Sequence, residues 1–176
     1  MTTRPGTPPI DLLPKANRIR TGARLSGRLR SFDGFFLTGL TDPTGEFAVH
    51  VDTMRGLAKR GCPLGEDVLH GVQSLRAIPI GLDLTQPLDA IFERTLFHHG
   101  SDEISIGNLQ VAIEGVEYVF RTSSRTSQAL ISAGVELLLN ADPSAAVPWL
   151  CIEDREVVRT EGTKVSIRVA TIVLRE

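Results

Sequence analysis

The side chains that could do chemistry are unevenly spread along the 176 residues. Arg4, Lys15, Arg18, Arg20, Arg24, Arg28 and Arg30 crowd the N-terminal end against Asp11 alone, and the rest of the chain is acidic on balance. A cationic end on a chain of net charge −2 suits an anionic partner such as nucleic acid, or the acidic part of a neighbouring subunit. Arg24, Ser26, Arg28 and Arg30 alternate with Leu25, Gly27 and Leu29, the pattern of a half-buried strand with a basic face. That pattern also fits a face that is simply solvated. Arg55, Lys59 and Arg60 form a second basic group.

Stacking and catalytic groups are scarcer. Aromatic residues make up 5% of the chain, with Trp149 and Tyr118 the single representatives of their types. Phe32, Phe35 and Phe36 are the candidates for stacking on bases. Phe35 and Phe36 are adjacent, so in a strand they point to opposite faces; one is expected in the core and the other is free for a ligand. His98 and His99, with Asp102 and Glu103, form the only local cluster suited to a metal. Their segment reads as a helix end, where adjacent side chains diverge by about 100°, so a polar helix terminus is the expectation. His50 and His70 fall in expected strands. Gly22 and Gly27 have the spacing of a phosphate loop but no lysine follows, and there is no nucleophile elbow. Glu153, Asp154 and Glu156 read as solvated charge. Cys62 and Cys151 lack metal-site spacing; reduced thiols are expected, with a mutual disulfide left open. The chain is expected to be non-catalytic, with no cofactor and no metal.

These residues must be held by elements that the pattern outlines. Residues 1–17, with Pro5, Pro8, Pro9 and Pro14, read as an extended arm. Residues 18–176 read as one β-rich domain. Residues 23–41 form an expected hairpin turning at Asp33-Gly34, and Thr41-Asp42-Pro43-Thr44-Gly45 is a turn into a third strand over 46–51. A short helix over 53–60, capped by Asp52 or Thr53, ends at Gly61 and Pro63. Residues 67–80 form a fourth strand region with Gly71 as a bend. Residues 85–98 read as a helix, from the spacing of Leu88, Ile91, Phe92 and Leu96. Residues 103–120 form a further hairpin, turning at Gly107-Asn108 or Glu114-Gly115. A helix over 124–140 and a hairpin over 147–175, turning at Glu161-Gly162, complete the chain. No window approaches the roughly 18 apolar residues of a membrane helix, and the N-terminus lacks the basic-then-apolar order of a secretory signal. A cytoplasmic protein with no membrane partner is expected.

Gly27, the strand FFLTGL, the turn Asp42-Pro43-Thr44-Gly45, the apolar strand after it, the short helix and Gly65-Glu66-Asp67-Val68 leading to Gly71-Val72 carry a resemblance. Residues 23–72 resemble the oligonucleotide/oligosaccharide-binding (OB) fold, in its replication-protein-A-like and anticodon-binding branch. The resemblance implies an antiparallel OB-like barrel over 18–80, closed by a strand from 103–120. The fold class is then β-rich α+β, with two or three helices and an extra C-terminal hairpin that the family pattern does not include. It further implies single-stranded nucleic acid bound on strands 1–3. Arg24, Arg28, Arg30, Arg55, Lys59 and Arg60 would hold phosphates, and Phe32, Phe35 and Phe36 would stack. The alternative is a structural or assembly subunit whose partners are other protein subunits, itself included.

Overall fold

The computed structural model of the chain describes residues 17–41, 47–141 and 146–175. Residues 1–16 of the expected arm and the Asp42-Pro43-Thr44-Gly45 turn lie outside these residues, and Asn17 begins the first strand. The described chain is rich in strand, with three helices and two sheets.

The chain opens with β1 (Asn17–Leu25) and β2 (Arg28–Thr41), an antiparallel pair turning at Ser26-Gly27. Both turn residues have positive φ, 50° and 77°, as the tight hairpin turn that matches strand twist requires. Then come β3 (Phe47–Val49) and α1 (Val51–Lys59). The short helix thus starts two residues before its expected position. His50 precedes it without a side-chain cap, and Asp52 lies in the first turn, where a negative charge suits the helix dipole.

The fourth strand region is two strands, β4 (Leu64–Leu69) and β5 (Val72–Leu75), followed by β6 (Ala77–Pro79). Gly71 is therefore a turn residue after His70, not a bend within a strand; the two have φ of 76° and 51°. The helix expected over 85–98 is replaced by a single turn, α2 (Leu88–Ile91), and the strand β7 (Phe92–His99). β8 (Asp102–Ile113) and β9 (Val116–Thr122) turn at Glu114-Gly115. α3 (Arg125–Asn140) follows, and β10 (Val147–Val158) and β11 (Lys164–Arg175) form a regular hairpin.

The larger sheet runs β4-β5-β2-β1-β9-β8-β7, with β3 also on β2; the smaller runs β11-β10-β6. Its one parallel joint is β1 with β9, through Asn17–Tyr118, Arg18–Val119 and Ile19–Phe120. Ile19, Leu37, Leu109 and Phe120 of the large sheet share one core with Ile131 and Val135 of α3 and Leu150 and Ile172 of the small sheet. Gly134 lets α3 approach β11: a Cβ there would come within 2.9 Å of Ile172 Cβ.

The expected hairpin turn at Asp33-Gly34 is the middle of β2. Between the pairs Gly22–Ser31 and Arg20–Phe36, β2 uses four residues where β1 uses one. This bulge breaks the side-chain alternation. It seats Phe32, Phe35 and Phe36 all inside, at 1%, 0% and 0% exposure. Phe32 meets Phe36 edge-on at 4.9 Å, and Phe35 meets Phe120 at 5.6 Å.

The bulge also turns Asp33 toward β4. Its carboxylate accepts from the Glu66 N–H (2.5 Å), the Asp67 N–H (3.1 Å) and Ser74 Oγ (2.9 Å). In return the Asp33 N–H donates to Asp67 Oδ2 at 2.7 Å. Burial raises the Asp33 pKa, but the two N–H donors, Ser74 and the Asp67 side chain outweigh it and hold it at about 2. Gly65 is needed at this crossing, since a Cβ would lie 2.7 Å from Asp33 Oδ1 and collide with Ser74 Oγ.

Candidate nucleic-acid interface

The basic residues picked out by the sequence do not converge. Arg28 is exposed near the tip of the β1–β2 ribbon. Arg30 donates to Asp67 Oδ1 at 2.9 Å, which ties it to the Asp33 crossing. Position 24 stands opposite Leu29, whereas Arg28 and Arg30 stand opposite Leu25 and Ala23. The register therefore puts position 24 out of phase with the other two. Arg55 and Lys59 are exposed on α1, and Arg60 pairs with Glu114. Phe32, Phe35 and Phe36 have no exposed ring face for a base.

A different basic group is assembled by the sheet. Arg18 and Arg20 are two apart on β1 and so share a face. The parallel joint with β9 brings Arg121 beside them, and Asn108 of β8 follows across the next ladder. This is the face opposite Ile19, Phe120 and Leu109. Arg20 Nε donates to Thr38 Oγ1 at 3.1 Å, and Thr38 Oγ1 donates to the Arg18 carbonyl at 3.1 Å. The Arg20 guanidinium lies 4.6 Å from the centre of the Phe47 ring, within cation–π range. Arg121 Nε donates to Asn108 Oδ1 at 3.1 Å.

The electrostatics of this group are those of partly buried, neighbouring positive charges. Burial lowers the Arg18 pKa to about 10, with Arg20 and then Arg121 adding repulsion. Burial and Arg121 lower Arg20, and burial lowers Arg121. All three stay charged at neutral pH. Among the described residues no carboxylate pairs with Arg18 or Arg121. The Arg18 Nε is buried without a hydrogen-bond partner, a state that costs about 1–3 kcal/mol, and more for a charged group.

In the sequence Arg18 and Arg20 stand out only as part of a basic end, and Arg121 does not stand out at all. The Arg-Ile-Arg alternation in β1 signals two arginines on one strand face. Nothing local signals that Arg121, a hundred residues on, joins them.

The remaining chemistry is dispersed. His98 and His99 lie on a strand, not a helix end, opposite Glu103 and Asp102. No group of three or more metal-binding side chains forms among the described residues. His50 Nδ1 and Tyr118 Oη share a 2.5 Å hydrogen bond, and burial lowers the His50 pKa and raises that of Tyr118. Cys62 and Cys151 are both free and buried, and burial pushes both thiols up, which disfavours thiolate chemistry. A cleft of about 340 Å³ between Leu57, Ile80 and Gly115 is flanked by Arg60 and Glu114, which neutralise each other. No helix among the described residues is long and apolar enough to cross a membrane.

No protein-family model, curated protein or solved structure matches the chain.

Proposed function

We propose that the chain is a non-catalytic nucleic-acid-binding protein, taking single-stranded DNA or RNA on the face of β1, β9 and β8 that carries Arg18, Arg20 and Arg121. The observation that carries this reading is the Arg18 guanidinium. It is partly buried beside two further arginines, lacks a carboxylate partner among the described residues, and has an unsatisfied Nε. A phosphate arriving there relieves the repulsion, and the five donors of a guanidinium suit its oxygens. Arg20 and Arg121 each hold one nitrogen on a neighbour, which fixes their planes before a ligand arrives.

Phe97 of β7 is partly exposed on this same face, in register with Ile104. It is the ring we assign to limited stacking, in place of the buried trio. The order β1-β2-β3-α1-β4 over residues 17–69 supports an OB-like core, with the ligand shifted from the second and third strands to the first and its parallel neighbour. A cytoplasmic setting fits this reading.

The test is anisotropy of a labelled oligothymidylate and its RNA counterpart across a salt series. Three neutralised phosphates give a log–log salt slope of about −2, at about −0.7 each. Arg18→Ala and Arg121→Ala should each weaken binding about tenfold and flatten the slope, while Arg28→Ala, at the ribbon tip, changes little. An absence of binding at low salt, or affinity lost with Arg28 and kept without Arg18, would end this assignment. A second reading, an assembly subunit, draws on the open edge of β7.

A further inference from the structure

The ends of the two sheets differ in how they meet solvent. β4 is irregular, with a register shift between Leu64 and Val68 and the acidic pair Glu66 and Asp67. β11 is covered along its middle by α3: the Ala170 N–H donates to Ser127 Oγ at 2.9 Å instead of remaining open. β6 is three residues long. β7 has none of these devices. It is eight residues long, pairs with β8 from Phe92–Leu109 to His99–Asp102 without a register shift, and contains no proline or lysine. Its one arginine, Arg94, is drawn aside to the Gln128 carbonyl at 2.8 Å. No strand among the described residues lies beyond it. Leu96, near its middle, is 59% exposed. A regular, uncharged-centre edge is a template for another strand.

We propose that β7 is a homodimer edge, pairing antiparallel with β7 of a second copy about a two-fold axis through Leu96. Symmetry and charge choose both occupant and register. A two-fold axis perpendicular to the sheet keeps each side chain on its own face. Directly opposed residues must therefore have numbers of equal parity, so some residue faces its own copy. Centring on Leu96 sets Leu96 against Leu96, Thr95 against Phe97, and Glu93 against His99. Both ends of the ladder then carry an acid–imidazole pair. Centring on Thr95 sets Glu93 against Phe97 and Phe92 against His98, and leaves Glu93 facing a hydrocarbon ring. Phe97 on the outer face and Leu96 on the inner face both lose exposure in the chosen register. The dimer continues the sheet and places the two Arg121 positions on the same face, five strand spacings or roughly 24 Å apart across the strands and six residues or roughly 20 Å apart along them.

Sedimentation equilibrium of the full chain tests this independently of nucleic acid. The expected mass is twice the 19.1 kDa of the chain. Leu96→Lys, at an exposed position, should give the single-chain mass with unchanged far-ultraviolet dichroism. Leu96→Cys should be joined to a dimer by a short bis-maleimide reagent, because directly opposed Cβ atoms lie about 4.5–5.5 Å apart and the native cysteines are buried. A wild-type chain that stays single up to about 100 µM, where even a micromolar dimer is populated, overturns the proposal. So does a dimer that survives Leu96→Lys, or a Leu96→Cys chain that does not cross-link.

Discussion

Replacing Asp33 by Asn tests whether the β2 bulge is held by charge. The carboxylate sits at about pKa 2 against an ordinary 3.8, a difference of about 2.4 kcal/mol at 1.36 kcal/mol per unit. The group is only partly buried, so solvent screening reduces this to about 1 kcal/mol. The amide adds a second cost. Its NH₂ half cannot accept, so at least one of the Glu66 and Asp67 N–H donors is orphaned, at about 1–3 kcal/mol. The expected loss at neutral pH is about 2–3 kcal/mol, read as a lower urea midpoint with an unchanged slope. The pH dependence has a definite sign. A lowered folded pKa stabilises fully above the unfolded value near 3.8, and that stabilisation is lost as pH falls toward 2. The gap between wild type and Asp33→Asn should therefore narrow by about 1 kcal/mol across that window. A variant within about 0.3 kcal/mol of wild type at pH 7 would refute the reasoning. So would a gap that does not change with pH.

Two further outcomes rest on separate parts of the fold. Gly65→Ala forces a Cβ into Ser74 Oγ and Asp33 Oδ1, so it should destabilise by about 1–3 kcal/mol, and Ser74→Ala in the same chain should recover part of that, as thermal melts would show. Ser124→Ala removes the cap that accepts from the Ser127 N–H at 3.2 Å; chemical denaturation should report a loss of about 1 kcal/mol.

Where the sequence is legible, local physics decides the structure. Ser124 caps α3 as its hydroxyl and position suggest, and the Val147–Val158 and Lys164–Arg175 strands alternate plainly enough to be read as a hairpin. Asp33-Gly34 misleads because its turn-forming residues serve tertiary needs: Asp33 caps two backbone donors of β4, and Gly34 makes room for Ser74, whose Oγ a Cβ would meet at 2.6 Å. The actual turns, Ser26-Gly27 and His70-Gly71, lack the Asn or Asp that marks such turns at their first position. Residues 92–99 mislead differently. Phe92 and Leu96 are four apart, which satisfies a helix, but positions 92, 94 and 96 also share one face of a strand. The pairing of all eight residues with β8 overrides the helical spacing. The arginine group is hidden for a topological reason, because a parallel pairing brings together residues that no local pattern relates.

That parallel pairing has a consequence for how the chain comes to be folded. Three residues of β1 meet three of β9, and across this short seam the strands made first join those made about a hundred residues later. Strands β1 to β5 can pair as they emerge, but the seam must wait for residue 120, and so high a sequence separation slows its closure. The repulsion among Arg18, Arg20 and Arg121 acts across this seam. A polyanion bridging the three would act as a clasp. Binding only the closed sheet, such a ligand would add about 1.4 kcal/mol against opening for each tenfold rise in its concentration above the dissociation constant.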